Sequence, residues 1–219
     1  MTGADDFRRA PLPVDLDRLL HDLRGPLNAA VMHLEVLKRL LADDPTARAS
    51  LQSIHQEVER LTAMLPVAVS ICALEMGPSR PILLRGVVES AIDEGERKRV
   101  RVDPGPWPEV DGNERLLLLA ARQLILNALE ASAEDGEVRV SLEPRDGGMV
   151  ALVVEDSGPG FKTKNTAAIV HLMAGGKPGH VGVGLLVAQR IARLHGGALA
   201  FETHQGGSAV RLILPARAR

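Results

Sequence analysis

The residue best suited to covalent chemistry in this chain is His21, which is directly followed by Asp22 in the stretch His21-Asp22-Leu23-Arg24-Gly25-Pro26-Leu27. A neutral imidazole nitrogen can act as a nucleophile when the other ring nitrogen keeps its proton. A histidine on a helix is more often an ordinary surface residue, so the imidazole alone decides nothing. His33 and His55 lack such surroundings, and we expect both to be solvated helix residues.

A second candidate is Asn127, a polar residue inside the apolar segment 123–132. An amide among leucine and isoleucine side chains is difficult to leave without a hydrogen-bond partner. The amide is therefore a candidate for a role in a binding site. The alternative is that Asn127 interrupts an apolar helix by chance.

Two glycine-rich stretches follow Asn127 in the chain. Asp156-Ser157-Gly158-Pro159-Gly160 ends an apolar strand, and Gly182-Val183-Gly184-Leu185 precedes an apolar helical segment. Glycines at a helix start expose backbone N–H groups and the positive end of the helix dipole, which favours phosphate binding. A dinucleotide fingerprint is disfavoured because Val187 stands where its third glycine belongs. Taken alone, the first stretch could be a simple turn.

The elements that must position these residues begin with two apolar series whose steps alternate between four and three residues. This alternation predicts two helices with a bundle seam, joined near Pro45. Because one helical hairpin cannot cover its own seam, we expect two copies to form a dimeric four-helix bundle. His21 follows seam residue Leu20, which places it at the edge of the bundle. The series are Leu16, Leu20, Leu23, Leu27, Ala30, Leu34, Leu37 and Leu41, then Leu51, Ile54, Val58, Leu61, Leu65, Ala68 and Cys72.

The stretch 77–81, Gly-Pro-Ser-Arg-Pro, is the best domain boundary in the chain. We expect a helical domain over residues 1–78 and a second domain over residues 79–219. In the second domain, the sequence pattern predicts short strands near 82–84 and 100–102 and helices over 87–98 and 114–133. It also predicts two β-hairpins, over 137–155 and 198–214. Together these elements predict a two-layer α/β sandwich.

The composition excludes several classes of function. The formal net charge of −2 gives no basic surface for nucleic acid or anionic lipid. Cys72 is the only cysteine, so no intrachain disulfide can form. The most apolar run, residues 61–74, is shorter than the roughly 20 residues of a membrane-spanning helix. With no secretion signal at the amino terminus, we expect a cytoplasmic protein without membrane or nucleic-acid partners.

The four stretches, in this order, resemble the motifs of the sensor histidine kinase family. The resemblance covers nearly the whole chain, from about Asp15 onward. The His21 stretch resembles the family's phospho-acceptor motif, and the other three resemble the motifs of its ATP site. The resemblance implies a Bergerat-type (GHKL) ATP-binding fold, like that of type II topoisomerases, Hsp90 chaperones and MutL proteins. It further implies ATP-dependent autophosphorylation of His21, followed by transfer to an aspartate of a response regulator receiver domain.

The resemblance also implies roles for individual residues, with ATP and Mg²⁺ as cofactors. Asp22 would accept a hydrogen bond from the second imidazole nitrogen, and Asn127 would hold Mg²⁺. The Asp156 carboxylate would accept a hydrogen bond from the adenine amino group. The remaining nucleotide contacts would come from Gly158, Gly160, Lys177, Gly182, Gly184 and Leu185. Lys177 lies in the segment 161–181, which is expected to form a lid; a solvated lysine is the alternative.

Four departures from the family pattern leave alternatives open. Gly25 replaces the Thr or Asn that orients water during dephosphorylation of a regulator, so we expect weak phosphatase activity. Gln123 stands where many members have a second asparagine, and His171-Leu172-Met173 replaces an aromatic box. With few residues before His21, we expect a short, sensorless member that receives its signal from a separate protein; the alternative is that the chain is a fragment. The alternative function is a dimeric histidine phosphotransferase with a degenerate ATP domain; a serine kinase of the anti-sigma type would not explain His21.

Overall fold

The computed structural model describes residues 14–41, 44–161 and 184–217. Within the first helix, it describes the side chain of His21 and those from Leu23 to Arg39. The described residues divide into two compact units, residues 14–41 and 44–73 in one and residues 74–161 and 184–217 in the other.

The first unit consists of two long helices that pack against each other, α1 (Val14–Leu40) and α2 (Pro45–Cys72). Asp44 caps α2, because its carboxylate accepts hydrogen bonds from the backbone N–H groups of Thr46 and Ala47 at 2.9 and 3.0 Å. Pro26 and Pro66 lie inside the helices without ending them. The prediction of a helical hairpin is confirmed.

The hairpin covers only part of its apolar seam. Leu34 and Leu51 are buried, whereas Leu37, Ile54 and Leu61 are 42%, 50% and 55% exposed. An apolar side chain gains roughly 1.5–3 kcal/mol from full burial. The exposed part of the seam is therefore available to pack against another surface.

The second unit contains a mixed five-stranded sheet in the order β2-β4-β5-β7-β6. Strand β2 pairs in parallel with β4, and every other pair is antiparallel. A separate two-stranded sheet joins β1 and β3. The strands are β1 (Arg80–Leu83), β2 (Val100–Val102), β3 (Glu109–Gly112), β4 (Val138–Arg145), β5 (Met149–Asp156), β6 (Ala198–His204) and β7 (Gly207–Pro215).

Three helices pack with the sheet to form the core of the second unit: α3 (Leu84–Ala91), α4 (Glu114–Ala131) and α5 (Gly184–Leu194). Helix α4 contacts β4 and β5, helix α5 contacts β6 and β7, and α3 packs against α4 and β1. The largest fully buried residues include Leu117, Leu124 and Ile125 of α4, Leu152 of β5, Leu185 and Ile191 of α5, and Leu212 and Leu214 of β7. The prediction of an α/β sandwich after the hairpin is confirmed.

Two details of the predicted elements are wrong. The helix expected over residues 87–98 ends at Ala91, and a short 3₁₀ turn (Glu94–Glu96) follows under a capping box formed by Asp93 and Glu96. The buried guanidinium of Arg122 pairs with both carboxylates and donates to the carbonyl of Ala91, which fixes this break. Strand β3, which is four residues long and lies before α4, was not among the predicted elements.

The opposite face of the sheet is closed by charge pairs over small side chains. Ala151, Val153 and Ala209 form a buried cluster there. Arg211, which pairs in register with Val153, bonds to Glu143 on β4 and Glu202 on β6 at 3.2 and 2.6 Å.

None of the helices that the structure describes combines the length and apolar character required to cross a lipid bilayer.

Candidate functional site

Asp156 ends strand β5 with a buried carboxylate that is held on both oxygens. Oδ1 accepts a hydrogen bond from the backbone N–H of Gly158 at 2.8 Å, and Oδ2 accepts from the hydroxyl of Ser208 at 2.5 Å. Each carboxylate oxygen retains a second lone pair. The group is therefore oriented by the fold and can still accept a hydrogen bond from a ligand.

Ser208 is a site residue that the sequence reading missed. It lies on β7 directly opposite Asp156 in the strand register. Fifty-two positions separate the two residues, and only the pairing of β5 with β7 brings them together. A serine hydroxyl that orients a carboxylate on the neighbouring strand has no local sequence signature.

Gly158 and Gly160 are required by the close packing after Asp156. A Cβ atom on Gly158 would lie 2.5 Å from the carbonyl oxygen of Ala131, the last residue of α4. Gly160 has a φ angle of +74°, and a Cβ atom there would lie 2.5 Å from the side chain of Thr203. The turn after β5 therefore lies against the end of α4, and only glycine fits at these two positions.

One stripe of α4 connects this turn to the second glycine-rich stretch. Gln123, Asn127 and Ala131 are spaced by four residues and share one helix face. A Cβ atom on Gly184 would lie 2.7 Å from Oε1 of Gln123 and 3.2 Å from Nδ2 of Asn127. Gly158 meets the same stripe at Ala131. The eight residue steps from Gln123 to Ala131 span about 12 Å along the helix axis.

Gly184 is the first residue of α5, so the N-terminal backbone of that helix lies beside the Asn127 amide. Unpaired backbone N–H groups and the helix dipole make such a terminus suitable for an anion. The next residue, Leu185, has its side chain buried in the core and offers only its backbone to a ligand. Two other expected ligand residues, Lys177 and Gly182, and the expected lid after Phe161 lie outside the described residues.

Asn127 carries a buried polar atom that lacks a hydrogen-bond partner among the described residues, its Nδ2. The nitrogen and oxygen of an amide are interchangeable by rotation, so either atom can face the space beside Gly184. A neutral oxygen in this position fits Mg²⁺ held together with phosphate oxygens. No cluster of three or more His, Cys, Asp or Glu residues suited to a metal occurs in the described parts of the chain. A cation here would therefore depend on a bound ligand for most of its coordination.

His21 lies on α1 with an exposed side chain, as expected for a group at the edge of a bundle. The side chain of Asp22 is outside the described set, so its proposed hydrogen bond to His21 stays a prediction. At Gly25 an added Cβ atom would meet nothing within 4 Å. The backbone there has room for the side chain that the sequence lacks.

The other histidines of the helical unit differ from each other. His33 is exposed, as predicted. The prediction that His55 is a solvated residue is wrong, because its side chain is only 18% exposed. Its Nε2 lies 3.2 Å from Oε1 of Glu59. Its Nδ1 lies 3.7 Å from Glu35 of the facing helix.

His195 directly follows the last residue of α5 and bonds at the end of that helix. Its Nδ1 lies 2.8 Å from the carbonyl oxygen of Ile191, and its Nε2 accepts a hydrogen bond from the backbone N–H of Asn113 at 3.1 Å. Both bonds require a neutral imidazole protonated on Nδ1. Burial lowers the pKa of His195 below its usual range, which favours the same form.

Comparison with known protein families matches both units. Residues 16–65 match the family model of the His Kinase A (phospho-acceptor) domain. Residues 112–218 match the model of the histidine kinase-, DNA gyrase B- and HSP90-like ATPase. The first match contains His21 and Asp22, and the second contains Asn127, Asp156 and Gly184.

Similar proteins include several named sensor proteins and kinases. The adaptive-response sensory kinase SasA of Crocosphaera subtropica is 30% identical over 91% of this chain and 58% of its own length. The alginate biosynthesis sensor protein KinB of Pseudomonas aeruginosa is 25% identical over 90% of this chain and 36% of its own length. This chain therefore spans between about a third and three-fifths of the length of these two relatives.

Solved structures share the fold. Full-length ShkA in complex with AMPPNP aligns with 95% of this chain and 47% of its own, at a TM-score of 0.58 and 23% identity. The mycobacterial sensor histidine kinase MprB aligns with 64% of this chain and 99% of its own, at a TM-score of 0.52 and 28% identity.

Proposed function

We propose that this chain is an ATP-dependent protein histidine kinase. The chain belongs to the sensor histidine kinase family, which supports this activity. In this proposal it phosphorylates itself on His21 and passes the phosphoryl group to an aspartate of a response regulator. The observation that carries the proposal is the arrangement on α4. Its one stripe meets the glycine turn behind Asp156 at one end and the start of α5 at the other.

This arrangement supports a nucleotide bound along α4. The Asp156 carboxylate accepts a hydrogen bond from the adenine amino group and is held in place by Ser208 and Gly158. The backbone N–H groups at Gly184 and Leu185 bind the phosphates at the start of α5. The separation of about 12 Å along the helix suits a base at one end and a triphosphate at the other. Gly160, Gly182 and Lys177 are proposed to complete the site.

Asn127 is the residue that would hold Mg²⁺. Its amide lies beside Gly184, and the amide nitrogen Nδ2 lacks a hydrogen-bond partner among the described residues. Bound Mg²⁺ supplies positive charge that offsets the charge of the phosphate oxygens. Gln123 is the neighbouring amide on the same stripe, and we propose that it occupies the role of the second family asparagine.

In the transfer step, one imidazole nitrogen of His21 forms a bond to the γ-phosphorus while the bond from that phosphorus to the β,γ-bridging oxygen breaks, and ADP leaves. The other ring nitrogen keeps its proton and donates it in a hydrogen bond to Asp22, which stabilises the cation formed during attack. The exposed position of His21 supports access by both the nucleotide and a receiver domain.

Dimerisation through the hairpin completes the proposal. Five apolar seam residues remain at least 38% exposed in the described hairpin, and a second copy would cover them. We propose residues 1–78 as the dimerisation and phospho-acceptor domain and residues 79–219 as the ATP-binding domain. The five are Leu23, Leu37, Leu41, Ile54 and Leu61.

We also propose weak phosphatase activity toward a phosphorylated regulator, because Gly25 has no side chain to orient water. Replacing Gly25 by Thr should raise the phosphatase rate, since a Cβ atom there meets nothing within 4 Å. Unchanged dephosphorylation of a cognate regulator by the variant would contradict this role.

The test is incubation of the purified chain with Mg²⁺ and γ-labelled ATP. An acid-labile label should form, disappear in His21→Gln and persist in His33→Gln, the matched control on an exposed histidine of the same helix. Labelling only from a phosphorylated regulator, and never from ATP, would identify a relay protein instead. Labelling that survives His21→Gln would refute the assignment of the acceptor.

A further inference from the structure

Arg190 is a partly buried cation to which the proposed chemistry gives no role. It lies on α5, six residues after Gly184, and therefore about 9 Å along the helix from the proposed phosphate site. Its Nη2 donates a hydrogen bond to the backbone carbonyl of Leu74 at 3.3 Å. Its Nε is buried and has no partner among the described residues. The side chain is thus directed away from solvent toward one backbone carbonyl.

Leu74 begins the segment that enters the ATP-binding unit. Helix α2 ends at Cys72 and is followed by the capping residue Ala73, whereas Leu74 belongs to the same compact unit as Arg190. Gly77, three residues later, has a φ angle of +61°, and a Cβ atom there would lie 3.1 Å from Nδ2 of Asn113, the cap of α4. The segment 74–77 therefore lies between α5 and the start of α4, the two helices that form the nucleotide site.

We propose that Arg190 is a positioning residue for phosphoryl transfer: by holding Leu74 on α5, it fixes the point at which the chain enters the ATP-binding unit. This inference rests on the proposed kinase function. In this proposal, the contact confines the backbone freedom between the two units to residues near Ala73. Without it, residues 74–77 add their backbone freedom to the search of the nucleotide for His21, and fewer encounters have the geometry for attack.

The anchor can be measured without any enzymatic readout. In a Cys72→Ser, Glu75→Cys chain, a nitroxide on the single cysteine reports the mobility of the segment, because Glu75 is exposed and adjacent to Leu74. Arg190→Gln should narrow the electron paramagnetic resonance line, and Arg190→Lys, which keeps a charged donor, should narrow it less. Arg193→Gln is the matched control, since Arg193 is an exposed arginine of the same helix.

Kinetics on the unlabelled chains then test positioning. Loss of one hydrogen bond from a charged group corresponds to a change of about 10- to 150-fold. Because this bond is long, at 3.3 Å, we expect the lower end: Arg190→Gln should lower the autophosphorylation kcat about tenfold and leave the Kd for ATP unchanged. Arg190→Lys should recover part of the rate. Native fluorescence of Trp107 in each variant shows that the unit has folded, and the Lys variant provides a second test if the Gln variant has not.

Each outcome decides the proposal. An unchanged line width in Arg190→Gln refutes the anchor, whether or not the chain is a kinase. A narrowed line with unchanged kcat refutes the positioning role, and a raised Kd for ATP with unchanged kcat assigns Arg190 to the nucleotide site instead. Absence of autophosphorylation in the unsubstituted chain refutes the proposed function and with it the positioning role, while the line width still decides the anchor.

Discussion

Replacing Asp156 by Asn should change which purine base the site accepts. The amide oxygen can keep the hydrogen bond from the Gly158 N–H, and the Ser208 hydroxyl can rotate to accept a hydrogen bond from the new amide nitrogen. The packing around the side chain is retained because the two residues have nearly the same shape. What disappears is the charged acceptor proposed for the adenine amino group.

The size of the effect follows from the charge of the lost acceptor. A hydrogen bond to a charged group contributes about 1.5–3 kcal/mol, which corresponds to an increase of about 10- to 150-fold in the Kd for ADP. Inosine diphosphate has an oxygen in place of the amino group, and this oxygen can accept from the new amide. The variant should therefore lose its preference for ADP over inosine diphosphate.

Isothermal titration with both nucleotides measures this change. Asp146→Asn is the matched control, because it removes the same charge from an exposed position at the other end of β5. Folding is monitored by the fluorescence of Trp107, which is buried. Trp107 is the only tryptophan, and the chain contains no tyrosine that would add to the signal. A natively folded Asp156→Asn variant that binds ADP within about twofold of the original chain would refute the role of Asp156.

Three further predictions concern the same unit. Gly184→Ala should abolish nucleotide binding in titrations while circular dichroism stays native, since the added carbon overlaps the amides of α4 beside the proposed phosphate site. Because burial lowers the pKa of His195 below its ordinary value of 6.5, the unfolded state takes up the proton more readily; urea unfolding should show stability falling as the pH drops below about 6.5, and less so in His195→Gln. Arg122→Met should lower the free energy of unfolding by about 2–3 kcal/mol in the same assay. This loss is smaller than that from breaking a fully buried ion pair, because the side chain of Asp93 is 65% exposed.

The parts of the fold that the sequence predicted are those with a regular local pattern. The four-three alternation from Leu16 to Leu41 identifies α1, and alternating apolar residues on either side of Gly147 identify the β4–β5 hairpin. Strand β3 was missed because it is only four residues long and ends at Gly112, which usually signals a turn. The structure requires that glycine, since a Cβ atom there would lie 2.6 Å from the imidazole of His195.

The parts of the site that could not be predicted depend on contacts between distant segments. Ser208 reaches Asp156 only through the register of β5 and β7. The contact of His55 with Glu59 is predictable from the sequence, because the two residues lie one helical turn apart. The contact with Glu35 is not, because Glu35 approaches only when the two helices pack together. Asn127 was identified because an amide in an apolar segment conflicts with its surroundings, and the structure places it beside Gly184.

The central claim is that an imidazole of the helical unit and a nucleotide site of the second unit act in one transfer reaction. Mass spectrometry of the chain after incubation with Mg²⁺-ATP, under conditions that preserve phosphohistidine, tests it most directly. The phosphoryl group should lie on His21 and should be strongly reduced in Asp156→Asn at limiting ATP. A phosphoryl group on another residue, or equal phosphorylation of the two chains at limiting ATP, would contradict the claim.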